Sequence, residues 1–257
     1  MVPVYSRGQR TDGSPYYAMR FVSGLSFQQA IDEFHAADKS GRDLQERSLA
    51  LRQLLRRFVD VCNTIAFAHA KGILHRDIKP ANILLGGYGE TLVVDWGLAK
   101  EMKSGDAPPQ SGGLGIPVKT DDVNDFDATK VGYTLYGQAM GTPAFMSPEQ
   151  AAGQWDVTGV ASDVYSLGAM LYTILSGSPP FSGPTMEVLT KVQRGDFKPI
   201  HAVKGNIPGP LGAVCRKSMS LKIEDRYRKL PSNYRVMLNA GSRTNPSVVM
   251  RSHCSFA

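Results

Sequence analysis

Apolar positions along the 257-residue chain change their period several times. Residues 3–7 and 15–22 carry Val4, Tyr5, Tyr16, Tyr17, Met19, Phe21 and Val22 around the turn Thr11-Asp12-Gly13-Ser14-Pro15. That pattern predicts two short strands, with Gly24 breaking the second. Ser26 stands three residues before Gln29, a capping-box spacing, and Phe27, Ala30, Ile31 and Phe34 follow as one face of a short helix. Asp38 to Asp43 is a polar loop. Leu51, Leu54, Leu55, Phe58, Val61, Cys62, Ile65 and His69 then recur at helical spacing, predicting a helix over 48–70 that Gly72 ends. Short strands follow around 73–74 and 83–94, the second region folded at Gly86-Gly87-Tyr88-Gly89. Residues 103–141 are rich in Gly, Pro, Ser and Asp with little periodicity and read as a mobile loop. Ala161 to Ser176 is a strongly apolar helix ending at Gly177, and 185–194 and 209–220 are further helices.

A hydrophobic fraction of 42% and a charged fraction of 20% are those of an ordinary globular protein. Cys62, Cys215 and Cys254 lie far apart, so no paired metal or redox motif forms; Cys62 sits in a core pattern. A reducing, cytoplasmic setting fits that usage, and no apolar run is long enough for a membrane span. The net charge of +6 is uneven: residues 216–257 hold nine Lys/Arg against two acids, a net +7. The basic pI therefore belongs to the end of the chain. Residues 231–257 read as a basic, disordered tail, and the lack of interleaved aromatics there argues against nucleic-acid binding.

The chemistry concentrates in His75-Arg76-Asp77-Ile78-Lys79-Pro80-Ala81-Asn82 and in Asp95-Trp96-Gly97. Asp77 follows a long helix in a loop and has a lysine two residues on, so it can accept a proton while Lys79 neutralises charge developing on a phosphate. Asn82 offers a carbonyl oxygen and Asp95 a carboxylate at a strand end, both suited to a hard cation such as magnesium. Any one of these residues alone reads as a solvated surface group. The ordered set is what points to phosphoryl transfer.

The two stretches resemble the catalytic loop and metal-binding segment of protein kinases, and the chain looks like the large lobe of a bacterial eukaryotic-like (Hanks-type) serine/threonine protein kinase. Gly141-Thr142-Pro143-Ala144-Phe145-Met146-Ser147-Pro148-Glu149 is similar to the family's segment ending in Ala-Pro-Glu, with Ser147 in place of alanine. The resemblance implies a kinase-like α+β fold, with a mostly helical large lobe and only a two-strand remnant of the small lobe. It implies ATP and Mg2+ as cofactors and a protein Ser/Thr hydroxyl as acceptor. It gives Asp77, Lys79 and Thr142 catalytic roles, and places Asn82 and Asp95 on the metal. Met19, Phe21, Val22 and Leu84 would line the adenine site. His75 and Trp96 would pack together, and Arg76 would meet a phosphate on the activation segment 95–149. Asp163 would hold the catalytic-loop backbone, and Arg226 would pair with Glu149. Thr129 and Thr134, with Thr120, are the candidate phosphosites.

The family's glycine-rich loop, strand lysine and helix glutamate have no counterpart: the first lysine is Lys39 and the first glutamate Glu33. The expected organisation is therefore a remnant of the small lobe and hinge over 1–22, a large lobe over 23–230, and the tail, as in a kinase truncated at its N-terminus. On this reading the chain acts weakly or not at all by itself, and a partner covers the exposed large-lobe surface. The alternative is a non-catalytic kinase-like interaction module or a gene fragment.

Overall fold

A computed structural model describes residues 4–11, 15–19, 21, 23–38, 42–102, 142–205 and 207–228. The chain opens with an antiparallel pair, β1 (Val4–Gln9) and β2 (Pro15–Met19), joined in register from Val4↔Met19 to Gln9↔Pro15 with a bulge after Val4. Gly24 does not merely break β2. It opens a third strand, β3 (Gly24–Ser26), which has a different partner.

The Ser26 capping box starts α1 (Phe27–Ala36): the Gln29 N–H donates to Ser26 Oγ at 3.2 Å, and the Ser26 N–H donates to Gln29 Oε1 at 2.8 Å. Its apolar face, Phe27, Ile31 and Phe34, is buried. The next helix, α2 (Leu44–Ala70), begins four residues before the apolar stripe suggests, because Asp43 caps it by accepting from the Gln45 N–H at 2.8 Å. Gly72, at φ 76°, lets the chain leave this helix.

Strands β4 (Ile73–Leu74), β5 (Ile83–Gly86), β6 (Thr91–Val93) and β7 (Lys100–Glu101) follow. They form two sheets, β3-β5-β6 and β4-β7, all antiparallel. This arrangement fixes the later chemistry. His75 to Asn82 links β4 to β5, and Val94 to Ala99 links β6 to β7, so the loops at 75–82 and 94–99 are both tied at their ends.

The remaining helices are α3 (Pro148–Ala151), α4 (Val160–Ser176), α5 (Thr185–Arg194), α6 (Ile200–Val203) and α7 (Gly209–Ser218). Every residue of α4 from Ser162 to Leu175 is buried, which makes it the axis of the core rather than a surface helix. Phe58, Ile65, Ile78, Ile83, Val93 and Leu211, drawn from the preceding and following elements, belong to the same buried cluster. Gly168 sets how near α7 can come: a Cβ there would lie 2.6 Å from that of Ser218 and 2.9 Å from Met219 Cγ. Cys62 and Cys215 are buried free thiols, and burial pushes the Cys215 thiol up to about 12. Among the described residues no helix is long and apolar enough to cross a membrane.

Candidate active site

The loop from His75 to Asn82 is held from below by Asp163, which stands in the first turn of α4 and is 1% exposed. Its Oδ2 accepts from the His75 N–H at 2.9 Å and meets His69 Nε2 at 2.7 Å; its Oδ1 accepts from the Arg76 N–H at 2.9 Å. Burial alone would raise its pKa. The His69 hydrogen bond and charge, with the two backbone donors, outweigh that and hold the carboxyl below its ordinary value. These donors stabilise a bend that the sequence would not favour: Arg76 has φ 70°, a left-handed conformation that costs a residue other than glycine about 1–3 kcal/mol.

His75 is fully buried. Its Nδ1 accepts from the Asp77 N–H at 3.3 Å, which leaves the ring proton on Nε2, facing the Val94 carbonyl at 3.2 Å. Burial is the largest influence on this ring and lowers its pKa, against the pull of nearby carboxylates. Trp96 packs beside it with ring centroids 4.5 Å apart and donates its indole N–H to the Val93 carbonyl at 3.1 Å.

Above this base Asp77 Oδ2 accepts from Lys79 Nζ at 2.7 Å and from Asn82 Nδ2 at 2.9 Å. Asn82 Nδ2 also donates to the Asp77 carbonyl at 2.9 Å, so its amide is oriented from two sides. That engages the nitrogen and leaves the carbonyl oxygen as the end available to a cation. The Val94 N–H donates to the Asn82 carbonyl at 2.9 Å, joining the two loops next to Asp95. Asp95 is exposed and, at φ 61°, is the second residue here other than glycine in the left-handed region. Among the described residues no three His, Cys, Asp or Glu side chains gather as a metal cluster. An exposed carboxylate and an oriented carboxamide do fit magnesium, which keeps several of its waters and needs few protein oxygens.

Other candidates are placed with less company. Leu84 is half-buried on β5 between Ser26 and Leu92. Met19 ends β2, Phe21 is 88% exposed, and Val22 lies outside the described residues. Thr142 is exposed and caps the single turn Pro143–Phe145; among the described residues no hydrogen bond joins it to Asp77. Thr120, Thr129 and Thr134 lie outside the described residues, as do most of 95–149 and all of 231–257.

Behind the loop, Arg226 Nη1 and Nη2 donate to the two oxygens of Glu149 at 2.7 and 2.9 Å, with both residues buried. Ser162 Oγ donates to the same carboxylate at 2.7 Å. Burial opposes that charge, and the Arg226 guanidinium overcomes it, so the Glu149 carboxyl lies below its usual range. The guanidinium of Arg76 lies over the Trp155 ring at 5.5 Å and donates to Thr158 Oγ1 at 2.8 Å, beside a cavity of about 400 Å³ lined in part by Lys100 and Arg228. Four residues escape the sequence reading: His69, which stands there only as one position of the helical stripe, Trp155, Thr158 and Gln150. Gln150 carries a legible signal, because Ser147-Pro148-Glu149-Gln150 has capping-box spacing.

These shifts set a pH dependence. Burial lowers the His75 pKa in the fold, so below about 6.5 the unfolded chain binds more of this proton than the fold does, and stability falls. His35, also lowered mainly by burial, adds to the same slope. Asp163 and Glu149 stabilise above the ordinary carboxylate range, and that contribution is lost only as pH falls through their depressed values. The melting temperature should therefore drop between pH 7.5 and 5.5 and continue down towards pH 3. His75→Gln should flatten part of the upper limb. A melting temperature level from pH 7.5 to 5.5 would contradict the assignment of the two histidines.

Residues 12–210 match the model of the protein kinase domain. The chain is 34% identical over 233 residues, 90% of its length, to the serine/threonine-protein kinase PknD of Protochlamydia amoebophila. It is 28% identical over 97% of its length to the PknD of Chlamydia caviae, and 30% identical over 88% to that of Chlamydia abortus. It spans only 22% to 26% of the length of these three relatives. The matched domain and the 34% identity agree with the loop geometry, and the chain belongs to the protein kinase family, among the Hanks-type serine/threonine kinases of bacteria.

Proposed function

We propose that this chain transfers the γ-phosphoryl group of ATP to a serine or threonine hydroxyl of a protein. The observation that carries the reading is the Asp77 carboxylate gripped by Lys79 at 2.7 Å and Asn82 at 2.9 Å on one preorganised loop. Asp77 takes the proton of the acceptor hydroxyl as its oxygen bonds to phosphorus and the bond to the β-phosphate oxygen breaks, releasing ADP. Lys79 stands where it can face the charge on the transferred group. Asn82, through its carbonyl oxygen, and Asp95 hold magnesium, which supplies charge neutralisation for the phosphate oxygens when bound. Leu84 supports the adenine ring, with Met19, Phe21 and Val22 as the hinge. Thr142 shapes the acceptor side. Arg76, held on Trp155 and Thr158 at a cavity that Lys100 and Arg228 also line, receives a phosphate on Thr129 or Thr134, a modification readable by mass spectrometry.

On this proposal residues 1–22 form the small-lobe and hinge portion, 23–230 the large lobe and 231–257 a basic tail, with the whole in the cytoplasm. The 257 residues contain no glycine-rich loop, strand lysine or helix glutamate to cover the phosphates, so by themselves they turn over slowly. A partner over the exposed large-lobe surface would make up part of that loss. The same lack favours the second reading, a non-catalytic kinase-like module.

Magnesium-ATP at ten times its dissociation constant should stabilise the chain by about 1.4 kcal/mol, a rise of about 3–5 °C in melting temperature. Asp95→Ala should lose the magnesium-dependent part of that rise. Equal shifts in the two proteins would remove the proposed metal site, and no shift in either would favour the non-catalytic module.

A further inference from the structure

We infer that Gln150 is a positioning residue that fixes the orientation of the Arg76–Asp77 peptide and couples it to the segment leading into α3. Its importance to catalysis rests on the phosphoryl-transfer reading above, whereas the contact itself does not.

Gln150 is 4% exposed, and both ends of its amide are used. Its Oε1 accepts from the Ser147 N–H at 3.0 Å and the Ser147 hydroxyl at 3.1 Å, which closes the capping box of α3. A cap needs no more than that oxygen. Its Nε2 instead reaches back 74 residues and donates to the Arg76 carbonyl at 2.9 Å. That carbonyl belongs to the peptide between Arg76 and Asp77. The N–H of the same peptide is held by His75 Nδ1 at 3.3 Å. The peptide plane is thus gripped at its oxygen by Gln150 and at its nitrogen by His75, immediately before the Asp77 Cα and immediately after the left-handed φ of Arg76.

Rotation of that plane swings Asp77 away from Lys79 and Asn82. Asp163 restrains only the two preceding N–H groups, so the oxygen side depends on Gln150. An amide suits the position because it accepts at one atom and donates at the other. A carboxylate could keep the cap but would set an oxygen against the Arg76 carbonyl. Since α3 also carries Glu149, a shift of the segment at 142–150 is passed to the Asp77 peptide through one side chain.

Gln150→Glu separates the two roles in the full chain. At pH 8 the ionised carboxylate retains the Ser147 contacts and repels the Arg76 carbonyl. Hydrogen exchange in peptides covering 75–79, corrected for intrinsic rates, should quicken about 10-fold while α5 stays unchanged. At pH 6 a carboxyl buried against a carbonyl takes up a proton, donates to it, and the exchange should return towards wild type. Gln150→Met, with neither function, should show the faster exchange at both pH values. Phosphoryl transfer to dephosphorylated casein should follow the same pattern, with kcat about 10-fold down at pH 8 and the KM for ATP within twofold. Exchange over 75–79 equal to wild type at pH 8, or a Gln150→Glu deficit that ignores pH, overturns the inference and leaves Gln150 a helix cap. If wild type transfers no phosphate yet exchange tracks the carboxyl's titration, the positioning contact stands and the catalytic reading falls.

Discussion

Arg226→Leu should destabilise the chain by about 3–5 kcal/mol, the usual cost of stranding one partner of a buried ion pair. Glu149 would keep Ser162 Oγ as a donor but lose both guanidinium hydrogen bonds, in a site where it is 4% exposed. Arg226 also donates to the carbonyls of Ser220 and Leu221 at 2.8 and 2.9 Å, so the turn before it loosens as well. Its guanidinium further packs on the Tyr165 ring at 5.0 Å. The midpoint of urea unfolding at pH 7.5 measures the loss. Adding Glu149→Leu should recover part of it by removing the stranded charge, though not the lost contacts to the carbonyls of Ser220, Leu221 and Ala161. A loss under about 1 kcal/mol for the single variant would show that water reaches Glu149 and that the pair is not buried in solution.

Asp77→Asn should reduce whatever phosphoryl transfer the wild-type chain performs by about 10²- to 10⁴-fold, the range for loss of a positioned proton acceptor. The substitution is nearly isosteric, and the carbonyl oxygen of the new carboxamide could still accept from Lys79 and Asn82. Folding should therefore be little affected, because the Lys79–Asp77 pair retains partial solvent contact, at 16% and 10% side-chain exposure. Magnesium-ATP should still raise the melting temperature, since Asn82 and Asp95 remain. The comparison needs labelled phosphate transferred to a protein acceptor alongside that thermal shift. Transfer within about threefold of wild type would remove Asp77 from the reaction.

The elements legible in the sequence were those that local chemistry specifies. The Ser26 box marks a helix start, and Gly72 and Gly177 mark helix ends, so these bounds are legible, whereas the Asp43 cap that starts α2 four residues early is not. What the sequence did not show was long-range. The two-residue pairing of β4 with β7 has too few positions to display a period, and α6 is a single short turn. Nor do Arg76 and Asp95 announce a left-handed backbone as glycine would, because Asp163 and the packed loops impose it. At the site, motif order placed Asp77, Lys79, Asn82 and Asp95 in two loops. It could not reveal that Gln150 reaches the first of those loops, since the capping-box spacing accounts for only one end of its amide.

The support beneath His75 and Arg76 comes from Asp163, 88 residues later than His75 in the chain. A ribosome adding about 5–20 residues per second therefore leaves the loop without its anchor for roughly 4–18 s. Throughout that interval α2 has been made while the helix that covers its apolar face has not. Synthesis rate and the first contacts of the nascent chain thus become part of how this loop acquires its shape: the Arg76 bend can form durably only once the second half of the domain has emerged.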